Sequence, residues 1–430
     1  MAITGRVPLL LLLGLVPVVL RPSLGTMWVW LLVVLVLTVL DWAIAARPSA
    51  LEIRRRALAP VRLGYPSSTT LTVANPGRRR MRLLVRDAWQ PTAGATDNRH
   101  PVRLTPGDRI QLSTSLLPVR RGDLRAVGVT VRSRGPLGLA SRQLTRPVHG
   151  VLRSLPPFES RKHLPSRLAR LRELDGRAAV RVRGQGTEFD SLREYVRGDD
   201  VRSIDWRASA RNRNVVVRTW QPERDRRVVL VLDSSRVSAG RVADVPRLDS
   251  AMDAALLLAS LAARAGDRVD VVAGDRVVRA RLRLGGSRDV AGRLQDALAD
   301  LEPVIAEADW SGLVGAVSSL GRQRALVVLL TPLEPSAVEE SLLPVLPALL
   351  RHHRVVLASV RDPELERLAE TRGSLDEVYD AAAAEHVLGS RRRTAHLLTT
   401  LGVDVVDTDA ERLPPALADH YLTLKSRGLL

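Results

Sequence analysis

The chain has 430 residues, with 65 Lys plus Arg against 46 Asp plus Glu and a formal net charge of +19. That length holds two or three domains, and the charge raises nucleic acid or an anionic membrane as partner. Nucleic acid is not expected: aromatic residues are only 3% of the chain, too few for stacking platforms, and the basic residues are arginines spread through an Ala/Val/Leu-rich sequence, Lys162 and Lys425 excepted. The absence of cysteine excludes disulfides and thiolate-held metal.

Two apolar runs open the chain. Ala2–Leu20 is interrupted by Thr4, Gly5 and Arg6 and contains Pro8 and Pro17; Thr26–Ala46 carries one charge, Asp41, with Trp28, Trp30 and Trp42 near its ends. The second run is long enough to cross a bilayer, and its tryptophans suit the two interfaces. Together the runs predict a transmembrane helical hairpin over residues 1–46. Arg47, Arg54, Arg55 and Arg56 follow the second run and Arg6 precedes the first, so the positive-inside rule places both ends and the rest of the chain in the cytoplasm. A signal peptide cleaved near Ala43-Ile44-Ala45 is the competing reading, and two long consecutive runs argue against it.

Residues 51–157 show short alternating runs, among them Thr69–Val73, Arg82–Val85 and Ile110–Ser115. Turn signals such as Asn75-Pro76-Gly77 and Thr105-Pro106-Gly107-Asp108 separate them. This spacing predicts a small β-sandwich. Beside the membrane, Arg54, Arg55 and Arg56 are expected to touch anionic headgroups, whereas Arg78 to Arg80 read as solvated loop charge.

Residues 158–226 combine a basic linker with a segment dense in both charges. Glu188, Glu194, Asp199, Asp200 and Asp205 interleave with Arg193, Arg197, Arg202, Arg207 and Arg211. Such mixing predicts an ion-pair network that shapes a loop; a partner-docking surface and a carboxylate-held divalent cation are the alternatives. Trp206 is expected to be buried, with Asp205 capping or pairing beside it. Gly184-Gln185-Gly186 lacks the context of a phosphate cradle, and Gly198-Asp199-Asp200 alone is too short to identify a polymerase.

From residue 227 to 430, apolar strands alternate with helical stretches: Val228–Leu232, Arg268–Ala273, Ala325–Leu330, Val355–Val360 and Val403–Val406. The alternation predicts an α/β doubly wound domain with ligands at the carboxyl ends of its strands. The first strand ends in Asp233-Ser234-Ser235. No histidine pair has zinc spacing, no Ser/His/Asp set is legible and no P-loop is present, so an enzyme is not expected.

The string from Gly184 to Arg211, GQGTEFDSLREYVRGDDVRSIDWRASAR, closely resembles the signature of the bacterial family called domain of unknown function 58 (DUF58). Arg121-Gly122 followed by Pro136-Leu137-Gly138-Leu139 is similar to a further element of that family. The resemblance implies a membrane-anchored protein whose α/β domain is von Willebrand factor A-like and Rossmann-like, working with MoxR-type AAA+ ATPases. It also implies a metal-ion-dependent adhesion site, D-x-S-x-S, holding Mg²⁺ through Asp233 and Ser235. Here Val237 stands where the last serine belongs, Ser238 comes one place late, and Thr331-Pro332 replaces a common aspartate, so the site is degenerate; Glu334 is the nearest compensating carboxylate. The resulting expectation is a multi-pass, membrane-anchored cytoplasmic adaptor that docks a MoxR-type ATPase, with the lipid bilayer as its other partner. The alternatives are a metal-dependent hydrolase using the signature carboxylates and an arginine-driven binder of anionic surfaces.

Overall fold

The computed structural model describes residues 2–181, 188–197, 199–211, 214–221, 226–285, 289–321 and 323–430. Gly184-Gln185-Gly186 and the side chain of Glu188 lie outside that description. The chain divides into two compact units, Met1–Leu155 and Pro156–Leu430.

In the first unit the strand β1 (Ala2–Ile3) precedes helices α1 (Arg6–Leu13), α2 (Leu15–Leu20) and α3 (Leu24–Ile44). Ser23 starts α3 by accepting the Thr26 N–H, and at about 1.5 Å per residue its 21 residues span about 31 Å, the thickness of a bilayer core. Among the described residues α3 is the one helix long and apolar enough to cross a membrane. The first run forms a shorter apolar helical stretch, Arg6–Leu20. Its helix is interrupted at Gly14, where the Trp30 ring of α3 occupies the space a Cβ would need, 2.2 Å away, and Trp30 Nε1 donates to Leu10 O at 3.1 Å.

The strands that follow are β2 (Glu52–Arg55), β3 (Val61–Arg62), β4 (Ser67–Ala74), β5 (Met81–Trp89), β6 (Ala95–Thr96), β7 (Arg99–Leu104), β8 (Arg109–Leu116), β9 (Gly122–Arg134), β10 (Ala140–Arg146) and β11 (Val151–Leu155). One sheet runs β2-β4-β8-β6; the other joins β1, β10, β9, β11, β3, β5 and β7. Alternation carries the architecture: along β5 Met81, Leu83, Val85, Asp87 and Trp89 are buried and their neighbours face outward. Leu71, Val73 and Leu112 of the first sheet share a core with Leu83, Val85, Val102 and Val131 of the second.

This core corrects the expectation for Arg55. Its side chain is 2% exposed and forms a two-pronged pair with Asp87, at 2.7 and 3.0 Å, while donating to Thr69 and lying over the Trp89 ring. Residue alternation on β2 turns Arg55 inward and leaves Arg54 and Arg56 outside, so only those two remain available to headgroups.

The second unit begins with α4 (Leu164–Arg181). The supposed linker contributes Phe158 and Leu171 to the main core. A hairpin, β12 (Glu188–Glu194) with β13 (Val216–Gln221), encloses α5 (Trp206–Ser209). Then come β14 (Arg227–Asp233), α6 (Arg236–Ala239), a two-stranded ribbon of β15 (Arg241–Val242) and β16 (Val245–Pro246), α7 (Arg247–Arg264), β17 (Arg268–Gly274), β18 (Val278–Arg283), α8 (Val290–Leu298) and α9 (Trp310–Ser318). The chain ends with β19 (Leu326–Leu330), α10 (Pro335–Ala337), α11 (Leu346–Leu350), β20 (Arg354–Val360), α12 (Pro363–Glu370), α13 (Leu375–Thr400), β21 (Asp404–Thr408) and α14 (Leu413–Ser426).

Six of these strands form one sheet in the order β18-β17-β14-β19-β20-β21, parallel except for the edge strand β18. Both faces are covered. Val228, Leu230 and Leu232 of β14 pack with α7, α8 and α14 on one side; Val229 and Val231 pack with α9, α11 and α13 on the other. That two-sided burial is why β14 reads as an unbroken apolar run. Between β19 and β20 the helical stretch is divided into α10, a π-helical turn over Val338–Leu342 and α11, with Pro347 at the start of the last piece.

Candidate functional site

From β14 the chain moves to β17 on one side and later returns to β19 on the other. The crevice between the carboxyl ends of β14 and β19 is therefore the switch point at which parallel sheets bind ligands. Asp233 ends β14 and Thr331 follows β19. Thr331 Oγ1 donates to Asp233 Oδ2 at 2.7 Å, and the Ser235 N–H donates to Asp233 Oδ1 at 2.8 Å. Both Asp233 and Ser235 are 1% exposed.

The Ser235 hydroxyl lies in the wall of a small cavity with Asp233, Thr331, Glu307 and Trp310. Among the described residues that hydroxyl is buried without a hydrogen-bond partner. The cavity holds about 10 Å³, room for one water-sized occupant. Burial pushes the Asp233 carboxyl above its ordinary value and the nearby Asp275 adds to this, against the hydrogen bond from Thr331 and the hydroxyl and backbone N–H of Ser235. A buried carboxylate disfavoured in this way, with the hydroxyls of Ser235 and Thr331 beside it, is the donor set that a small hard cation would use.

Sequence reasoning placed Thr331 at this site only as part of a replacement for aspartate, and Asp275 escaped it. Asp275 accepts Ser234 Oγ at 3.0 Å and pairs with Arg279 at 2.9 Å. Burial works to raise the Asp275 carboxyl, and the bonds from Arg279 and Ser234 outweigh it, holding it below its ordinary value. The position of each at the end of a neighbouring parallel strand was the available signal. Val237 lines the cavity in place of a third serine, while Ser238 and Glu334 are not among the lining residues. Glu307, which is, pairs with Arg236 at 2.7 Å. Among the described residues no group of three or more His, Asp and Glu side chains is placed to hold a metal, so a cation here would depend on hydroxyl oxygens.

The signature residues are arranged otherwise. Arg193 grips Asp199 with two bonds, 2.8 and 2.6 Å, and Asp199 also accepts the Val196 N–H. Asp200 caps the short helical turn Val201–Ser203 through the Arg202 N–H. Asp205 caps α5 through the N–H groups of Arg207 and Ala208 and pairs with Arg218 at 2.7 Å. Glu194 accepts from Asn214 at 2.6 Å. Arg211 is exposed in the turn after α5. The carboxylates are thus occupied in turns and pairs. The expectation of a buried Trp206 is wrong: it is 67% exposed, as the first residue of the one-turn helix α5.

No curated protein matches the chain. Among solved structures, PapD-like domain 7 of human CEP192 is 15% identical, covering 26% of this chain and 89% of its own, at a TM-score of 0.20. The CARDB domain of a Pyrococcus furiosus protein is 19% identical, covering 24% and 95%, at 0.18. A GH20 exo-β-N-acetylglucosaminidase from Vibrio harveyi, in complex with N-acetylglucosamine, is 10% identical, covering 83% and 75%, at 0.22. At such TM-scores these likenesses carry no argument about fold or function. Residues 191–396, from within β12 to within α13, match the family model described as "Protein of unknown function DUF58", and this match supports DUF58 as the family of the chain.

Proposed function

We propose that the protein is a membrane-anchored adaptor that docks a protein partner at the carboxyl edge of its six-stranded sheet, through a von Willebrand A-like domain with a degenerate metal-ion-dependent adhesion site. The observation that carries this reading is the convergence of the Asp233 carboxylate with the buried hydroxyls of Ser235 and Thr331 at the switch point. The sheet order, with a lone antiparallel edge strand, agrees with such a domain. Asp233 and Ser235 are assigned to an Mg²⁺, which a partner carboxylate would complete. The partner is assigned, by family resemblance, as a MoxR-type AAA+ ATPase. Helix α3 supplies the anchor, and in this reading the α1–α2 run is the second limb of a hairpin that leaves the bulk of the chain cytoplasmic.

The hydrolase alternative draws less support, because Asp199 and Asp205 are engaged by arginines and helix-capping N–H groups. Affinity purification of the full-length protein from native membranes, with Mg²⁺ and ATP analogues present, tests the adaptor. An AAA+ ATPase is expected to co-purify with the wild type and to be lost with Asp233→Asn. Recovery of the protein alone in several detergents would overturn the reading.

A further inference from the structure

Helix α13 is apolar on two opposite sides, and only one of them is covered. Ala381, Ala384, Leu388 and Leu398 are buried within the domain. On the other side Leu375 and Tyr379 are 72% and 70% exposed, and Ala382, Ala383 and Leu397 are exposed with them. Leu375, Tyr379, Ala382, His386, Gly389 and Arg393 recur at alternating steps of four and three residues, which sets them in one straight seam. A helix apolar all round is ordinarily buried all round, so this outer seam calls for a partner.

The charges of α13 are segregated along its length. Asp376, Glu377, Asp380 and Glu385 lie in its first half, and Arg391, Arg392 and Arg393 in its second. Glu377 serves the capping box, Glu385 pairs with Arg372 and Arg391 with Asp407. Asp376, Asp380, Arg392 and Arg393 are exposed, and among the described residues none of them makes an ion pair; Arg393 donates to Ser390 Oγ. We propose that the outer face of α13 is a dimer interface, on which α13 of a second copy lies antiparallel. Antiparallel pairing sets each acidic half against a basic half, and two-fold symmetry repeats every contact; parallel pairing would set like charges together. Centring the pair on His386 aligns Leu375 of one copy with Leu397 of the other, and Tyr379 with Arg393, a cation facing an aromatic ring. Ala383 meets Gly389 near the centre, where small side chains allow the helices to approach closely. A dimer formed this way is independent of the adaptor reading, since no residue of α13 lines the Asp233 cavity.

The chain contains no cysteine, so introduced thiols report the pairing directly. The test is oxidation of the full-length protein reconstituted in neutral-lipid liposomes. H386C is expected to form a disulfide-linked dimer, because residue 386 lies at the two-fold axis. L375C alone is expected not to, its two copies lying about 33 Å apart along the helices, whereas L375C/L397C is expected to crosslink. Absence of the H386C crosslink, or a crosslink in L375C alone, would overturn the arrangement. An L375C thiol shielded from a water-soluble maleimide, with no H386C crosslink, would assign the face to the bilayer and also overturn it. Sedimentation in detergent adds a charge test. Y379R sets arginine against Arg393 and is expected to weaken the dimer at least about tenfold, and Y379R/R393E is expected to restore it; failure of the second change to rescue the first would refute the register. The substituted positions are all exposed, so loss of the dimer is not loss of the fold.

Discussion

The carboxylate of Asp41, in the last turn of α3, accepts the backbone N–H of Leu139 at 2.7 Å, across 98 residues of chain. It also accepts from Leu137 at 2.7 Å and Ala140 at 2.9 Å, so one side chain satisfies three amides of the turn between β9 and β10. The only charge in an apolar run is therefore a connector between the helix and the β domain. Arg142 reinforces it, donating to Trp42 O and lying 4.7 Å from the centre of its ring.

Asp41→Ala strands three N–H groups at once, those of Leu139 and Ala140 buried and that of Leu137 partly so, at about 1–3 kcal/mol for each buried group. The expected outcome is a destabilisation of at least about 3 kcal/mol, with early proteolytic cleavage near Gly135. Gly135→Ala should resemble it, since a Cβ there would lie 2.3 Å from the Asp41 carboxyl carbon. Unfolding in detergent together with limited proteolysis reads both variants. An unaltered cleavage pattern would show that the contact does not hold the helix to the turn.

Arg55 and Asp87 make a pair buried on both sides, 2% and 0% exposed. Removing either partner, as in Arg55→Met or Asp87→Asn, leaves the other uncompensated and is expected to cost about 3–5 kcal/mol. The double variant should recover most of that loss, because the two charges leave the core together. A double-mutant cycle by chemical denaturation measures it, and strict additivity of the two single losses would refute the coupling.

Asp233 should reveal itself in the pH dependence of stability. Its carboxyl is raised on folding from an ordinary value of 3.8, so the native state holds the proton more tightly than the unfolded chain. Stability is then greatest at low pH and falls as pH rises above 3.8 through the folded value. Asp233→Asn is expected to melt higher than wild type at pH 8, with the advantage vanishing near pH 4. Mg²⁺ should raise the melting temperature of the wild type and leave that of the variant unchanged. Calorimetry at the two pH values decides, and a pH-independent difference would exclude the ionisation as its cause.

The signature hairpin should tolerate substitution globally. Arg193 and Arg218 are 42% and 46% exposed, so losing Asp199 or Asp205 strands no buried charge. Asp205→Ala is expected to accelerate hydrogen exchange at the Arg207 and Ala208 amides while leaving the main melting transition in place. Exchange mass spectrometry with a parallel melt tests this, and a large drop in melting temperature would overturn the local reading.

The elements visible in the sequence were those encoded by near neighbours. Thr26–Ala46 announces α3, and Val228–Leu232 and Ala325–Leu330 announce central strands, because burial on both faces requires unbroken apolar runs. Asp233 was legible because a carboxylate directly after such a strand lies at the sheet's carboxyl edge. The capping role of Asp205 was legible because caps act over two or three residues.

What the sequence by itself determined is thus local: the apolar helix, the order of strands and helices, and the edge on which Asp233 lies. The tertiary structure alone decided that Arg55 faces Asp87, that Asp41 binds the turn at Leu139, that Thr331 meets Asp233, and that Arg391 pairs with Asp407. Each of these joins residues brought together only by strand pairing and helix packing. An arginine triplet or a lone aspartate has the same local pattern whether it ends in water or in a core, and the energy that separates the two outcomes resides in partners far along the chain.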